Sequence, residues 1–283
     1  MEQLLEKGYL YMAVGAEVYF KEAFVSANSI KKLDKNAHIT LLTDSKAKEF
    51  ISKYESAFTN VVHIDNEELK PYSGWKYGIL FKVMNLYSYS PYKKTIFIDT
   101  DTYFIDSPEE LFLHLDHFDI CMTHSPADRN NIKVGNSVLP AYYAYNTGLI
   151  LFNKTEVIER MFKDWCKIYE AGEFRGEQPP FMQAYVKENI KTYILTNNWN
   201  ARTVFYESMG GKVKMVHGRH KSMQKVAEEI NATHTGRVWL PGIEKCIHDQ
   251  IKISKLVVVL IQLFFYFLKK NIKHRFSGKK SKA

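Results

Sequence analysis

The sequence predicts a layered α/β fold around a mixed, mostly parallel central sheet, in one domain followed by a tail of different character. Three observations carry that prediction. Short apolar runs alternate with helix-period patterns through the first half of the chain. The 283 residues suit one large domain and contain no internal repeat or low-complexity linker. A strongly apolar run followed by clustered bases closes the sequence. Strands that alternate with helices imply parallel βαβ units, so residues 1–243 read as the folded domain and 244–283 as the tail.

Taken in order, the run over 9–14 reads as the first strand. Over 17–32, Phe20, Phe24, Ala27 and Ile30 recur at helical spacing and predict an amphipathic helix. A second strand lies over 38–43, a helix near 46–54 and a third strand near 61–64. After the turn at 71–74, the pattern predicts a helix over 77–87 and then the strand 95–98. Ser107 offers a cap, Pro108 suits a first turn and Glu110 completes a capping box, so another helix is expected to open there. In the second half, 149–152 reads as an apolar strand and 156–169 as a helix. A further helix starts at Pro179-Pro180, and late strands lie over 192–195 and 212–216.

Charge separates body from tail. The net charge is +8, but nine of the Lys and Arg residues lie from Lys252 onward and no acid follows Asp249, which leaves 30 bases against 31 acids in the rest of the chain. A nucleic-acid-binding domain carries its positive charge on the fold itself, so nucleic acid is not an expected partner. Cys121, Cys166 and Cys246 are far apart with no CxxC spacing, which argues against a disulfide framework or a cysteine zinc site. The acidic N-terminus has no long apolar run and no secretory signal, so a reducing, cytoplasmic setting is expected.

Residues 256–268 are apolar except for Gln262, and Lys269, Lys270, Lys273 and Arg275 follow closely. As a helix this run spans about 20 Å, short of the roughly 30 Å hydrocarbon core of a bilayer. The tail is therefore expected to associate peripherally with the cytoplasmic, inner face of the membrane, its bases on anionic headgroups. A buried terminal helix is the alternative, since apolar runs of this length also occur in protein cores.

Asp99-Thr100-Asp101 directly follows the predicted strand 95–98. In open α/β sheets, ligands collect beyond the carboxyl ends of the strands. Two carboxylates one residue apart on an extended segment point to the same side and can share a divalent cation. Such a cation can neutralise the charge of a departing nucleoside diphosphate.

Around this triplet the chain resembles a known family. Phe81-Lys82-Val83-Met84-Asn85-Leu86 and Lys94-Thr95-Ile96-Phe97-Ile98-Asp99-Thr100-Asp101 resemble GT-A glycosyltransferases of the glycogenin and lipopolysaccharide-galactosyltransferase type. Four later blocks are similar to bacterial nucleotide-diphospho-sugar transferases: Tyr145-Asn146-Thr147-Gly148-Leu149-Ile150-Leu151-Phe152, Glu177-Gln178-Pro179, Asn198-Trp199-Asn200-Ala201-Arg202 and Val216-His217-Gly218-Arg219. The resemblance covers about residues 9–239 and keeps its order.

The resemblance implies a GT-A domain with Asp99, Asp101 and His217 as metal ligands. A mixed oxygen and imidazole set favours Mn²⁺ over Mg²⁺. It implies that Ala13 and Val14 line the base pocket and that Tyr19 lies against uracil. Lys82, Asp99, Thr100, Asp101 and Arg219 would then contact the nucleotide-sugar, Asn146 and Gly148 the donor sugar, and Asn200 and Arg202 the sugar or acceptor side. Glu177 and Gln178, with Asp101, would form the catalytic group. Glu177 stands where the family pattern has aspartate, and Gly218-Arg219 does not continue into the family's Lys-Pro-Trp pattern. Plainer roles stay open: helix packing for Tyr19, a solvated helix face for Lys82, a structural histidine at 217 and a salt bridge for Arg202.

The implied activity is transfer of a sugar from a UDP-sugar donor to a hydroxyl of a glycan or lipid-linked acceptor, with retention, as in cell-surface polysaccharide synthesis. A sugar nucleotidyltransferase is the first alternative, but it calls for a glycine-rich basic loop after the first strand, and residues 14–18 hold one glycine and an acid. No GxGxxG follows that strand to support a dinucleotide-binding enzyme. A non-catalytic, membrane-bound binding protein is the second alternative, and the intact Asp99/Asp101/His217 set argues against it.

Overall fold

The computed structural model describes residues 4–125, 132–134, 137–139 and 144–277. The tail's last residues, 278–283, lie outside them. β1 (Leu5–Met12) leads into α1 (Glu17–Leu33), β2 (Ile39–Thr43), α2 (Lys48–Tyr54), β3 (Asn60–His63), α3 (Gly74–Asn85) and β4 (Tyr92–Ile98). β1 pairs in parallel with both β2 and β4, and β2 in parallel with β3. Alternation along each strand divides the core between two faces. Tyr9, Tyr11, Ile96 and Ile98 pack with α1, whereas Leu10 and Phe97 pack on the other face with α3.

After β5 (Thr102–Phe104) the capping signals at Ser107 open the expected helix, Pro108–Asp116, which is of the tighter 3-10 kind. Ser107 Oγ does accept from Glu109 N, but the Glu110 carboxylate is drawn away to Lys214, so the returning half of a capping box is not made. β6 (Ile120–His124) follows, then a hairpin of β7 (Ile132–Val134) and β8 (Ser137–Leu139), then β9 (Tyr145–Asn153). β9 runs antiparallel between β4 and β6. β10 (Thr192–Ile194), reached through α4 (Glu156–Ala171) and α5 (Gln178–Tyr185), pairs in parallel with β6. The seven strands take the order β10-β6-β9-β4-β1-β2-β3, with β9 as the antiparallel member.

A second layer comes from the last third of the chain. β11 (Ala201–Arg202), β12 (Glu207–Met209), β13 (Met215–His217), α6 (Met223–Ile230), β14 (Arg237–Leu240) and β15 (Lys245–His248) follow in order. β13 lies between β11 and β5, and β14 lies antiparallel between β12 and β15. The folded body thus continues past residue 243 to His248. Arg237 is buried with no carboxylate partner among the described residues; its guanidinium donates to the carbonyl of Ile230, the last residue of α6, and to those of Gly211 and Thr235 in the neighbouring loops.

The chain continues into α7 (Ile253–Ser277). Only a narrow stripe, Leu256, Val259, Leu263 and Tyr266, is buried or half-buried, and the rest of the helix out to Asn271 is exposed. Phe264 is 63% and Phe265 53% exposed. The buried terminal helix considered from sequence is therefore not what forms. No described helix is long and apolar enough to cross a membrane.

Trp165 joins core to site. Fully buried on α4, it meets the rings of Phe162 and Phe181 with centroids 5.6 and 4.9 Å away, and its Nε1 donates to the Glu177 carbonyl at 3.0 Å. Trp165→Ala is expected to cost about 3–5 kcal/mol. Trp165→Phe, which keeps most of the apolar volume and loses the hydrogen bond, is expected to cost about 1–2 kcal/mol. Denaturant midpoints at constant m-value check both.

Candidate active site

Two hydrogen-bonded ladders place the acids and the imidazole. Asp99 leaves β4 with its N–H donated to the Gly148 carbonyl at 2.8 Å, continuing the β4/β9 ladder by one residue. Beyond Asp101, β5 pairs antiparallel with β13 so that Thr102 faces His217, and Gly218 N–H donates to the Asp101 carbonyl at 2.9 Å. His217 Nε2 consequently lies 3.3 Å from Asp101 Oδ1 and 3.8 Å from Asp99 Oδ2. Ligand atoms of the three residues all fall within 4.8 Å of one another. Adjacent ligands on an octahedron of about 2.1 Å radius lie roughly 3 Å apart, so the cluster fits a divalent cation in spacing and in donor type.

These residues border a cavity of about 550 Å³, within the roughly 300–1,000 Å³ usual for small-ligand sites. Ala13 and Val14 enter it from the end of β1, Tyr19 from the first turn of α1 and Lys82 from α3. Thr100 joins Asp99 and Asp101 at the turn after β4. Asn146 comes from β9, Glu177 and Gln178 from the start of α5, Arg202 from β11, and His217 and Arg219 from the end of β13. Gly148 and Asn200 do not line the cavity. Gly148 lies directly beneath the cluster, and Asn200 is buried behind His217 with its side chain engaged by Thr123, Asn146 and the imidazole.

Lys82 is no solvated helix residue. It is 8% exposed, and its ammonium donates to Asp99 Oδ1 at 3.1 Å, the Thr147 carbonyl at 2.9 Å and Glu177 Oε1 at 3.4 Å. Burial alone would lower its pKa, but the charges of Asp99 and Glu177 outweigh it and raise the value. Burial likewise pushes the Glu177 carboxyl up, and Lys82 with the Thr147 hydroxyl holds it below its ordinary range. Burial opposes ionisation of Asp101 as well, and is overcome by the hydrogen bond and charge of His217 in its protonated form and by the Arg202 charge, which hold it at about 2. Lys82 and Glu177 are thus both charged at neutral pH, and truncating Lys82 would remove the cation that pairs the largely buried Glu177 carboxylate.

Gln178 Oε1 is buried with no hydrogen-bond partner among the described residues. Elsewhere on the cavity lining, the Arg219 guanidinium lies 5.3 Å from the Tyr19 ring centroid and is held by Glu22, which also accepts from Thr100 Oγ1 at 3.3 Å. The sequence reading missed Glu22; its signal was its place on α1 three residues after Tyr19, on the same helix face. It also missed Trp75, Arg175 and Gly176 at the cavity wall. Trp75 is 64% exposed on the first turn of α3, where no periodic pattern requires an apolar residue. Glu207 was missed too: buried on β12, it accepts from Arg202 N at 2.6 Å, and burial pushes its carboxyl up to about 7 despite that bond and the Arg202 charge.

Gly148 is required by close approach. A Cβ there would fall 2.2 Å from His217 Cε1 and 2.7 Å from Asp99 Oδ2. Gly148→Ala is expected to displace the imidazole and weaken Mn²⁺ binding at least about tenfold while leaving the circular dichroism spectrum intact. Calorimetric titration with MnCl₂ measures the loss.

No protein-family model matches the chain, and no curated protein matches it by sequence. Solved structures match it in shape. Mouse xyloside xylosyltransferase 1 in its apo form superposes with a TM-score of 0.53 at 15% identity, over 76% of this chain and 98% of that one. The galactosyltransferase LgtC, in complex with donor and acceptor sugar analogs, gives a TM-score of 0.51 at 12% identity, over 76% of this chain and 88% of that one. At such identities the likeness is one of fold, and it agrees with the strand order and the layered sheets described above. The chain has the GT-A glycosyltransferase fold.

Proposed function

We propose that this protein is a metal-dependent glycosyltransferase that moves a sugar from a UDP-sugar donor to a hydroxyl of a glycan or lipid-linked acceptor, with retention. The observation that carries the proposal is the convergence of Asp99, Asp101 and His217 beside the buried Lys82–Glu177 pair at the edge of one cavity. The cation held by the three ligands, Mn²⁺ on the strength of the mixed donor set, would supply charge neutralisation to the leaving diphosphate. Ala13, Val14 and Tyr19 bind the base, and Arg219 supports the phosphates. Lys82, already committed to two carboxylates, adds a fixed positive charge behind the metal ligands.

Glu177 is ionised and held by Lys82 and Thr147, so it presents negative charge to the cationic sugar centre that develops as the glycosidic bond breaks. Gln178 contributes the unpartnered carbonyl that a donor hydroxyl would satisfy. The retaining outcome rests on the resemblance in the Glu177-Gln178-Pro179 block.

The exposed apolar circumference of α7, with Lys252 just before it, Lys255 in its first turn and Lys269 and Lys270 in its second half, supports placement on an anionic, cytoplasmic membrane face. Gly242 lets the Tyr266 ring lie against the body, since a Cβ there would fall 2.5 Å from that ring. Tyr266 and Lys270 also wall a second cavity of about 380 Å³, which shares Val204 and Arg219 with the first.

Incubation with a panel of UDP-sugars and no acceptor is expected to release UDP in the presence of Mn²⁺ and not with EDTA. Asp99→Asn and Asp101→Asn are each expected to lower that rate by about 10²–10³-fold. Release of UDP that ignores both the metal and these substitutions refutes the enzyme reading. For the tail, the full chain is expected to co-sediment with phosphatidylglycerol vesicles, less at high salt, and little with phosphatidylcholine. The double substitution Phe264→Asp/Phe265→Asp should release it; unchanged sedimentation refutes the membrane reading.

A further inference from the structure

We infer that Asn200 is a positioning residue that holds His217 in the one tautomer able to ligate a cation. The inference rests on the metal-site reading of Asp99, Asp101 and His217, and it starts from a group whose hydrogen is not in question. The backbone N–H of Gly148 lies 2.9 Å from a side-chain atom of Asn146. A backbone N–H can only donate, so that atom is Asn146 Oδ1. The amide atom of Asn200 that lies 2.9 Å from the same oxygen must then be its nitrogen, Nδ2, whose other hydrogen goes to Thr123 Oγ1 at 2.7 Å. What remains of the Asn200 amide is Oδ1, an acceptor, and it lies 2.8 Å from His217 Nδ1. His217 Nδ1 therefore carries a hydrogen. In the neutral ring the lone pair is on Nε2, the nitrogen that faces Asp99 and Asp101.

Burial makes the chain of assignments binding. Asn146 is 1% and Asn200 3% exposed, so water does not offer either amide an alternative partner. Flipping the Asn200 amide would set its oxygen against Asn146 Oδ1 and leave two buried acceptors face to face, while its nitrogen turned on His217. Asparagine is also the side chain that meets all three demands, with one acceptor for the imidazole and two donors for Thr123 and Asn146. Aspartate meets the first and fails the others. Without an acceptor at Nδ1 the ring is free to carry its hydrogen on Nε2 and to donate it to Asp101, which closes the ligating position. Three groups that would otherwise repel one another, two carboxylates and a nitrogen lone pair, are thereby kept facing a common centre.

The test reads the tautomer directly. Long-range ¹H–¹⁵N correlation of the metal-free full chain, at a pH where imidazole is neutral, is expected to show His217 with its hydrogen on Nδ1. Asn200→Ala is expected to shift the ring toward the Nε2–H form and to weaken binding of Mn²⁺ alone by about 10–100-fold. Asn200→Asp, which still accepts from Nδ1, is expected to restore the tautomer and most of the affinity despite a lower melting temperature. A wild-type His217 with hydrogen on Nε2 overturns the inference, and that result needs no variant to fold. So does Asn200→Ala if it binds Mn²⁺ as tightly as wild type. If wild type shows the Nδ1–H form but does not bind Mn²⁺, the metal reading fails and the positioning assignment stands.

Discussion

The site depends on the antiparallel register between β5 and β13. That ladder is three residue pairs long, yet it fixes His217 opposite Thr102 and so beside Asp101, more than a hundred positions away in sequence. A slip of one residue would turn the imidazole to the other side of the strand. The register is held from both ends. Gly218 continues it by donating to the Asp101 carbonyl, and the hydroxyls of Ser26 and Ser29 on α1 bond Thr102 Oγ1 and Phe104 N. The central sheet supplies the acids, the second layer supplies the imidazole, and the short ladder is their seam.

Around that seam the chain concentrates buried polar groups that a merely stable fold would avoid. Lys82, Asn146, Asn200 and His217 are buried and Glu177 and Asp101 partly so, and most of their partners lie within this group or beside it in Asp99, Thr123 and Thr147. Buried ion pairs of this kind contribute little net stability against an apolar substitute. Their effect is orientation: each charge is fixed in place before any ligand arrives, which is the condition under which electrostatic stabilisation of a transition state costs no rearrangement. The stability is supplied elsewhere, by the two apolar faces of the central sheet and the aromatic cluster on α4 and α5.

Much of the fold was legible in the sequence because its first half keeps one period per segment. The alternation at Tyr9, Leu10 and Tyr11 and the helical spacing of Phe20, Ala27 and Ile30 both report directly on which face meets the core. β6 was missed although Ile120, Cys121 and Met122 form an apolar run, and β14 and β15 were missed because strands of four residues carry too little pattern. α6 has strong amphipathicity but only eight residues. The acids of the site were legible through their position after a strand, and His217 only through resemblance, since nothing local to Val216-His217-Gly218 reveals what crosses it. The task of Asn200 was not legible at all. Its meaning lies in three partners from β6, β9 and β13, and no spacing along the chain encodes such a meeting.

If the proposed activity and membrane placement hold, the seating of α7 bears on how an acceptor would be met. Tyr266, set in the hollow over Gly242, ties the helix to the body by its ring. A bilayer gripping the helix would fix the tilt and height of the cleft mouth above the lipid headgroups. Encounters with an acceptor carried on lipid would then become a search in two dimensions, and reach along the surface, more than affinity from solution, would select among acceptors of the proposed reaction.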